Sequence, residues 1–331
     1  MNRLERAHSS VLTKPIMPAL GRKKDRALDQ LLTKIRTPLH VSRLHLGYAG
    51  IIGACLCVSV ATLLTKHLVQ NVPPQALVFL QLLASATVIW PAAALTGRLP
   101  PRRTALRLAL PGFLQPGLVY LFAFAGLAIT PANVESLLFA FESVLVVLLA
   151  WPLLRERPKA STLLSVALGT LGVILITGAA PDRTAPVVGV VLILLGVLAA
   201  ALDTVASRAL AINAHPLAMA AASHTAGLVI IAVALMIWPV QSWELVWRAA
   251  PLPAIAVSGI LLHGVATILF NYGLSHVEAG PAAALFPAVS VFTGIGAYIF
   301  LGERLNSPQL AGAALVIGAA FVMARQSEAK H

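Results

Sequence analysis

In a chain of 331 residues, 58% are apolar, only 11% are charged and the mean hydropathy is +0.86, a balance that excludes a water-soluble fold. A hydrocarbon core about 30 Å thick, crossed at about 1.5 Å per residue, leaves room for about ten spans of roughly 20 residues and little for a soluble domain. The formal charge of +12 invites a nucleic-acid reading, and the positions of the basic residues decide that question below.

Residues 1–46 read as a basic cytoplasmic N-terminal tail, densest at Arg22, Lys23, Lys24 and Arg26. No short apolar core followed by small residues occurs there, so no cleavable signal is expected. The leucines between Asp25 and Ile35 have helical spacing, which fits a helix on the membrane surface as well as a disordered tail. Apolar runs bounded by Pro, Gly and charges then give ten spans, at about 47–66, 76–96, 108–128, 134–154, 162–180, 186–206, 217–239, 253–273, 280–301 and 308–325. A cytoplasmic C-terminal tail, 326–331, follows. The runs lack the alternation of barrel strands, and lipid offers no partner for backbone N–H and C=O groups, so the expected class is an all-α membrane protein of ten transmembrane helices. With the N-terminus inside, the inner segments hold twenty Lys and Arg, and the outer segments hold four: Lys66, Arg183, Arg248 and Arg304. That is the positive-inside bias, so the charge is a topology signal, both termini are cytoplasmic and no nucleic acid is implied.

Shifted by 147 residues, Gly117–Leu163 aligns with Gly264–Leu310 without a gap and with thirteen identities, among them Gly126/Gly273, Leu138/Leu285, Phe139/Phe286, Ser143/Ser290 and Glu156-Arg157/Glu303-Arg304. The repeat unit contains five spans, 47–180 in the first copy and 186–325 in the second. An odd number of crossings inverts the second copy, placing Glu156 inside and Glu303 outside. Two inverted five-helix repeats are a transporter signature, because two such halves can exchange conformations about a site near the midplane.

The stretch from Gly273 to Met323, with Gly-Glu-Arg-Leu after the ninth span and Gly312 and Gly318 in the tenth, resembles the repeat of EamA-type drug/metabolite transporters. SLLFAFESVLVVLLAWPLLRERP, from Ser136 to Pro158, is its first-half counterpart, and the resemblance runs from roughly 47 to 325. It implies a ten-helix transporter that moves small metabolites or drugs, often outward, through a central cavity lined by both halves. Two departures stand out: Ser143 and Ser290 replace a proline that members often carry, and Gln81 replaces an arginine found in many.

Glu142 is the sharpest candidate, near the middle of the fourth span, where a carboxylate costs about 2.5–3.5 kcal/mol on insertion scales unless protonated or paired. It reads as a substrate-ammonium or proton site, or else as a neutral acid tying helices together; its repeat partner is Val289. Glu135, seven residues earlier, is better explained as a solvated acid near the outer boundary. Gln81, Tyr120, Ser143, Asn271 and Ser290 are uncharged hydrogen-bonding groups able either to orient a small polar molecule or to bond neighbouring helices. His263, like His224, reads as a proton relay or as a helix contact. Glu156, Arg157, Glu303 and Arg304 read as structural or gating residues that cap helix ends or pair with one another. Asp203 is expected to pair locally with Arg208, and Cys55 and Cys57 to be packing residues.

Phosphate loops, HExxH, GxSxG and metal-spaced Cys or His pairs are missing from the sequence, so no enzyme activity, cofactor or metal is expected. The sequence favours an exporter of small metabolites in the plasma (inner) membrane, proton-coupled or electrochemically driven, with membrane lipid as its surroundings. An uncoupled facilitator is the alternative, and a lipid-modifying enzyme or a scaffold is a more distant one.

Overall fold

The computed structural model describes residues 19–68, 72–127, 129, 138–139, 141–177, 186–240, 243–249, 251–301 and 307–328. The chain forms two compact units, Met1–Arg43 and Leu44–His331. Of the first, residues 19–43 are helical and belong to helix α1 (Ala19–Leu68).

In the second unit every described regular element is helical, as bilayer-embedded backbone requires. After the Leu44–Leu68 part of α1 come α2 (Pro74–Leu95), α3 (Ala105–Gly112), α4 (Val119–Leu127), α5 (Glu142–Leu154), α6 (Ala160–Thr177), α7 (Val187–Ala211) and α8 (Pro216–Ile237). A short helix α9 (Trp243–Ala249) precedes α10 (Leu252–Gly259), α11 (Ala266–His276), α12 (Ala279–Ala283), α13 (Ala288–Leu301) and α14 (Ser307–Glu328). Two six-residue π turns join α3 to α4 and α10 to α11: Phe113–Leu118, kinked at an extended, non-helical Gln115 (φ −134°, ψ 122°), and Ile260–Val265. Among the described residues, seven helical stretches are long and apolar enough to cross a membrane, while Glu142–Leu154, Ala160–Leu175 and Leu310–Val322 are shorter apolar helices. Large apolar side chains such as Leu95, Leu106 and Met236 point outward with more than four fifths of their surface exposed, as lipid-facing positions do.

The backbone shows breaks that the apolar runs do not. In the fourth span α5 starts at Glu142, behind Phe141. In the ninth, Ala284–Pro287 form a turn between α12 and α13. Pro287 has no N–H to donate and disfavours helical geometry at Phe286, so the ladder tightens to three-residue spacing, with Phe286 N bonded to Ala283 O and Ala288 N to Leu285 O. The same tightened bond, Phe141 N to Leu138 O at 3.1 Å, precedes α5.

These features recur at one spacing. The bounds of α3, of the π turn after it and the start of α4 lie 147 residues before those of α10, its π turn and α11; α6 and α14 also start 147 residues apart. Side-chain environments follow. A Cβ on Gly112 would lie 1.7 Å from the Ser223 carbonyl oxygen, and one on Gly259 would lie 2.4 Å from that of Gln81. Only glycine lets α3 and α10 approach the α8 and α2 backbones this closely. Gly126 abuts Ile193 and Gly189, just as Gly273 abuts Ile51 and Gly47, and Gly172 meets the Gly312 backbone where α6 joins α14. Ile51 and Leu274 are fully buried in the main apolar cluster.

Candidate functional site

A cavity of about 700 Å³ lies among these helices. Its wall contains all seven residues singled out for substrate or proton: Gln81 from α2, Tyr120 from α4, Glu142 and Ser143 from α5, His263 from the second π turn, Asn271 from α11 and Ser290 from α13. Both π turns line it, through Gln115 and Pro116 in the first and Leu262 and His263 in the second. Unwound helices of this kind are tolerated at membrane depth where they face a cavity or protein.

The side chains differ in what they have left to offer. Gln81 Nε2 donates to Thr65 Oγ1 at 3.0 Å and Ser258 Oγ at 2.8 Å, which fixes the amide across α1, α2 and α10. Ser143 donates to the Ala283 carbonyl at 2.8 Å, one of the carbonyls at the α12–α13 break. His263 is buried between two rings, Tyr120 at 5.9 Å and His224 at 6.3 Å, both edge-on, and its Nε2 has no hydrogen-bond partner among the described residues. His224 is held by its Nδ1 at 2.8 Å from the Ala220 carbonyl. Glu142 is the first residue of α5.

Asp203 departs from the sequence reading. Arg208 does not pair with it but with Glu156, Nε to Oε1 at 2.9 Å, and Arg208 also donates through Nη1 to the Leu274 carbonyl. Asp203 instead lines the cavity that Glu142 also lines, with a side-chain hydrogen bond to Ser207, and among the described residues its Oδ1 lacks a partner. The signal was available, since an acid four turns into an apolar run is costly wherever it faces lipid; an Arg five residues on masked it.

Glu156 pairs with Arg208 of α7, not with adjacent Arg157, and its Oε2 accepts from Ala279 N at 2.8 Å, at the first residue of α12. One carboxylate thus joins the α5–α6 connection to α7 and to the start of α12. Arg157 is exposed. Glu135, Glu303 and Arg304 lie outside the described residues. Cys55 is buried against the Leu285 carbonyl, and Cys57 is a free thiol. Among the described residues no group of three or more His, Cys, Asp or Glu is placed to hold a metal ion.

Long apolar helices around a largely apolar cavity with a few polar side chains are those of an integral membrane protein. Residues 45–178 and 187–325 each match the EamA-like transporter family, and the chain belongs to that family. Its members are transporters, so the protein is not an enzyme and acts on a small-molecule substrate. Over 77 residues, 23% of this chain, it is 42% identical to a probable terminal-alkyne amino-acid exporter of Streptantibioticus cattleyicolor; the match spans about a quarter, 26%, of that protein's length. It is 28% identical over 214 residues to the uncharacterized transporter YcxC of Bacillus subtilis, covering 62% of this chain and 68% of that one. A solved crystal structure shares the fold with a TM-score of 0.72 at 20% identity, over 88% of this chain and 99% of the other.

Proposed function

We propose that the protein is a secondary exporter of small metabolites, amino-acid-like compounds or drugs, working by alternating access in the plasma (inner) membrane with both termini cytoplasmic. In this reading ten spans form two inverted five-helix repeats, 47–180 and 186–325, between the tails 1–46 and 326–331. The recurrence of π turns, tightened turns and close helix contacts at one spacing supports the repeats. The printed activity of the Streptantibioticus cattleyicolor relative supports the amino-acid-like class and the outward direction.

The observation that carries the reading is the convergence of Glu142 with six other polar side chains, drawn from both halves, on one cavity. Glu142 serves substrate and coupling proton there, Gln81, Tyr120, Ser143, His263, Asn271 and Ser290 orient the substrate, and Glu156 with Arg157 and Glu303 with Arg304 act as structural or gating elements. The test is transport in proteoliposomes across metabolite classes, with and without an imposed pH gradient. Glu142→Gln abolishes flux while the protein keeps its elution profile and helicity. Unchanged flux with unchanged pH dependence in that variant overturns the assignment, and pH-independent, gradient-following flux in the parent points to an uncoupled facilitator.

A further inference from the structure

We infer that Asp203 and Glu142 together form a two-carboxyl pocket that admits substrates bearing a positively charged ammonium group and rejects free carboxylates. The inference deepens the proposed transport reading and rests on it for the location of the substrate site. Both acids line the cavity, although they come from α5 and α7 in different halves of the sequence. Among the described residues lining the cavity there is no Lys or Arg to neutralise them. The basic side chain next along α7, Arg208, has its guanidinium engaged by Glu156 and the Leu274 carbonyl. Asp203 Oδ1 has no hydrogen-bond partner among the described residues.

A second observation is independent of the acids. His263 is 6% exposed, lines the same cavity and presents an Nε2 that has no hydrogen-bond partner among the described residues. The rings of Tyr120 and of Phe270 and Phe286, the last two 5.5 Å apart, give the wall aromatic surface that attracts a cation and covers an apolar body. An ammonium placed beside two carboxyl groups pairs with their charged form in a site of low polarity, whereas a substrate carboxylate finds no basic side chain on the cavity wall to offset its charge. The substrate class is therefore a small amine on an apolar body. A zwitterion is admitted less well, because its carboxylate has only uncharged donors to meet.

The test uses the full chain in nanodiscs and three ligands that share one apolar body: 2-phenylethylamine, phenylalanine and 3-phenylpropionate, titrated calorimetrically. Binding is expected to rank amine above zwitterion, with the acid at least about tenfold weaker than the amine. Asp203→Asn, nearly isosteric, is expected to weaken the amine by about tenfold or more and to leave the acid no weaker than before. Equal binding of amine and acid by the parent, absence of amine binding, or unchanged amine binding in Asp203→Asn overturns the inference; the first two need no variant to fold. Amine binding without flux in proteoliposomes would leave the pocket standing and remove the transport reading instead.

Discussion

Phe113–Leu118 and Ile260–Val265 interrupt their spans at the same place, the first through an extended Gln115 (φ −134°, ψ 122°), yet one presents Pro116 to the cavity and the other His263. The same split runs through the neighbouring helices. Where α5 starts with Glu142, α13 carries Val289; where α7 has Asp203, the matched position of α1, reached through the paired contacts of Ile193 and Ile51, is the fully buried Ala61. The breaks recur, and the titratable groups that line the cavity do not. The two halves thus share helix breaks at one spacing while contributing different chemistry to the cavity wall.

The likeness of the two halves is most sharply tested at their closest contacts. Gly112→Ala is expected to destabilise the protein by about 3 kcal/mol or more, because its Cβ would meet backbone that cannot move aside, and Gly259→Ala by less, since its clash is milder. Thermal unfolding in detergent measures both, and stabilities equal to the parent's would break the claim that these contacts define matched halves. Next in size is the ion pair of Glu156. Arg208→Ala leaves a largely buried carboxylate without its partner and is expected to cost about 2 kcal/mol, reduced from the fully buried case by partial exposure. Glu156→Gln costs less, because an amide oxygen still accepts from Ala279 N. A reversed order in the same assay would show that the connection to α12 outweighs the charge pair.

The smallest effect separates the starts of α2 and α8. Pro73 caps α2 without a side-chain bond, whereas His215 caps α8 by accepting from Leu217 N through Nδ1 at 3.3 Å. Partial burial, and secondarily the Arg98 charge, hold the His215 imidazole below its ordinary value near 6.5. Folding therefore favours its neutral form. The cap contributes above the unfolded value and is lost as pH falls from about 6.5 through the lower folded value. Unfolding temperature is expected to drop slightly more between pH 7.5 and 5.5 in the parent than in His215→Asn, whose amide caps without titrating. Identical pH responses would remove the distinction.

Much of this was legible in the sequence, for reasons visible in particular residues. Gln81, Tyr120, Glu142, Ser143, His263, Asn271 and Ser290 were recognisable because a polar group in an apolar run needs a partner or a cavity, and the cavity collects them all. Their hydrogen-bond partners were not legible, since Thr65, Ser258 and the Ala283 carbonyl are distant in sequence. Hydropathy also hid the breaks: the run through Glu142 and the run through Pro287 are continuous in composition, and only backbone geometry shows that helices begin there. Asp203 was misassigned because sequence proximity to Arg208 was mistaken for contact. The short helix α9, with Trp243 against Phe79, fell in a stretch too short and mixed to read as a span.

The turn between α12 and α13 keeps its own backbone bonds, Phe286 N to Ala283 O and Ala288 N to Leu285 O, and the same carbonyls take a second partner from elsewhere: Ser143 donates to Ala283 O and Cys55 to Leu285 O, while Ser59 donates to Val289 O just beyond. A carbonyl oxygen has two lone pairs, so this stretch holds helices α1 and α5 without giving up its own turn. A shift of the joint is expected to strip those second bonds or to carry both helices with it, as coupled planks and not as separate staves.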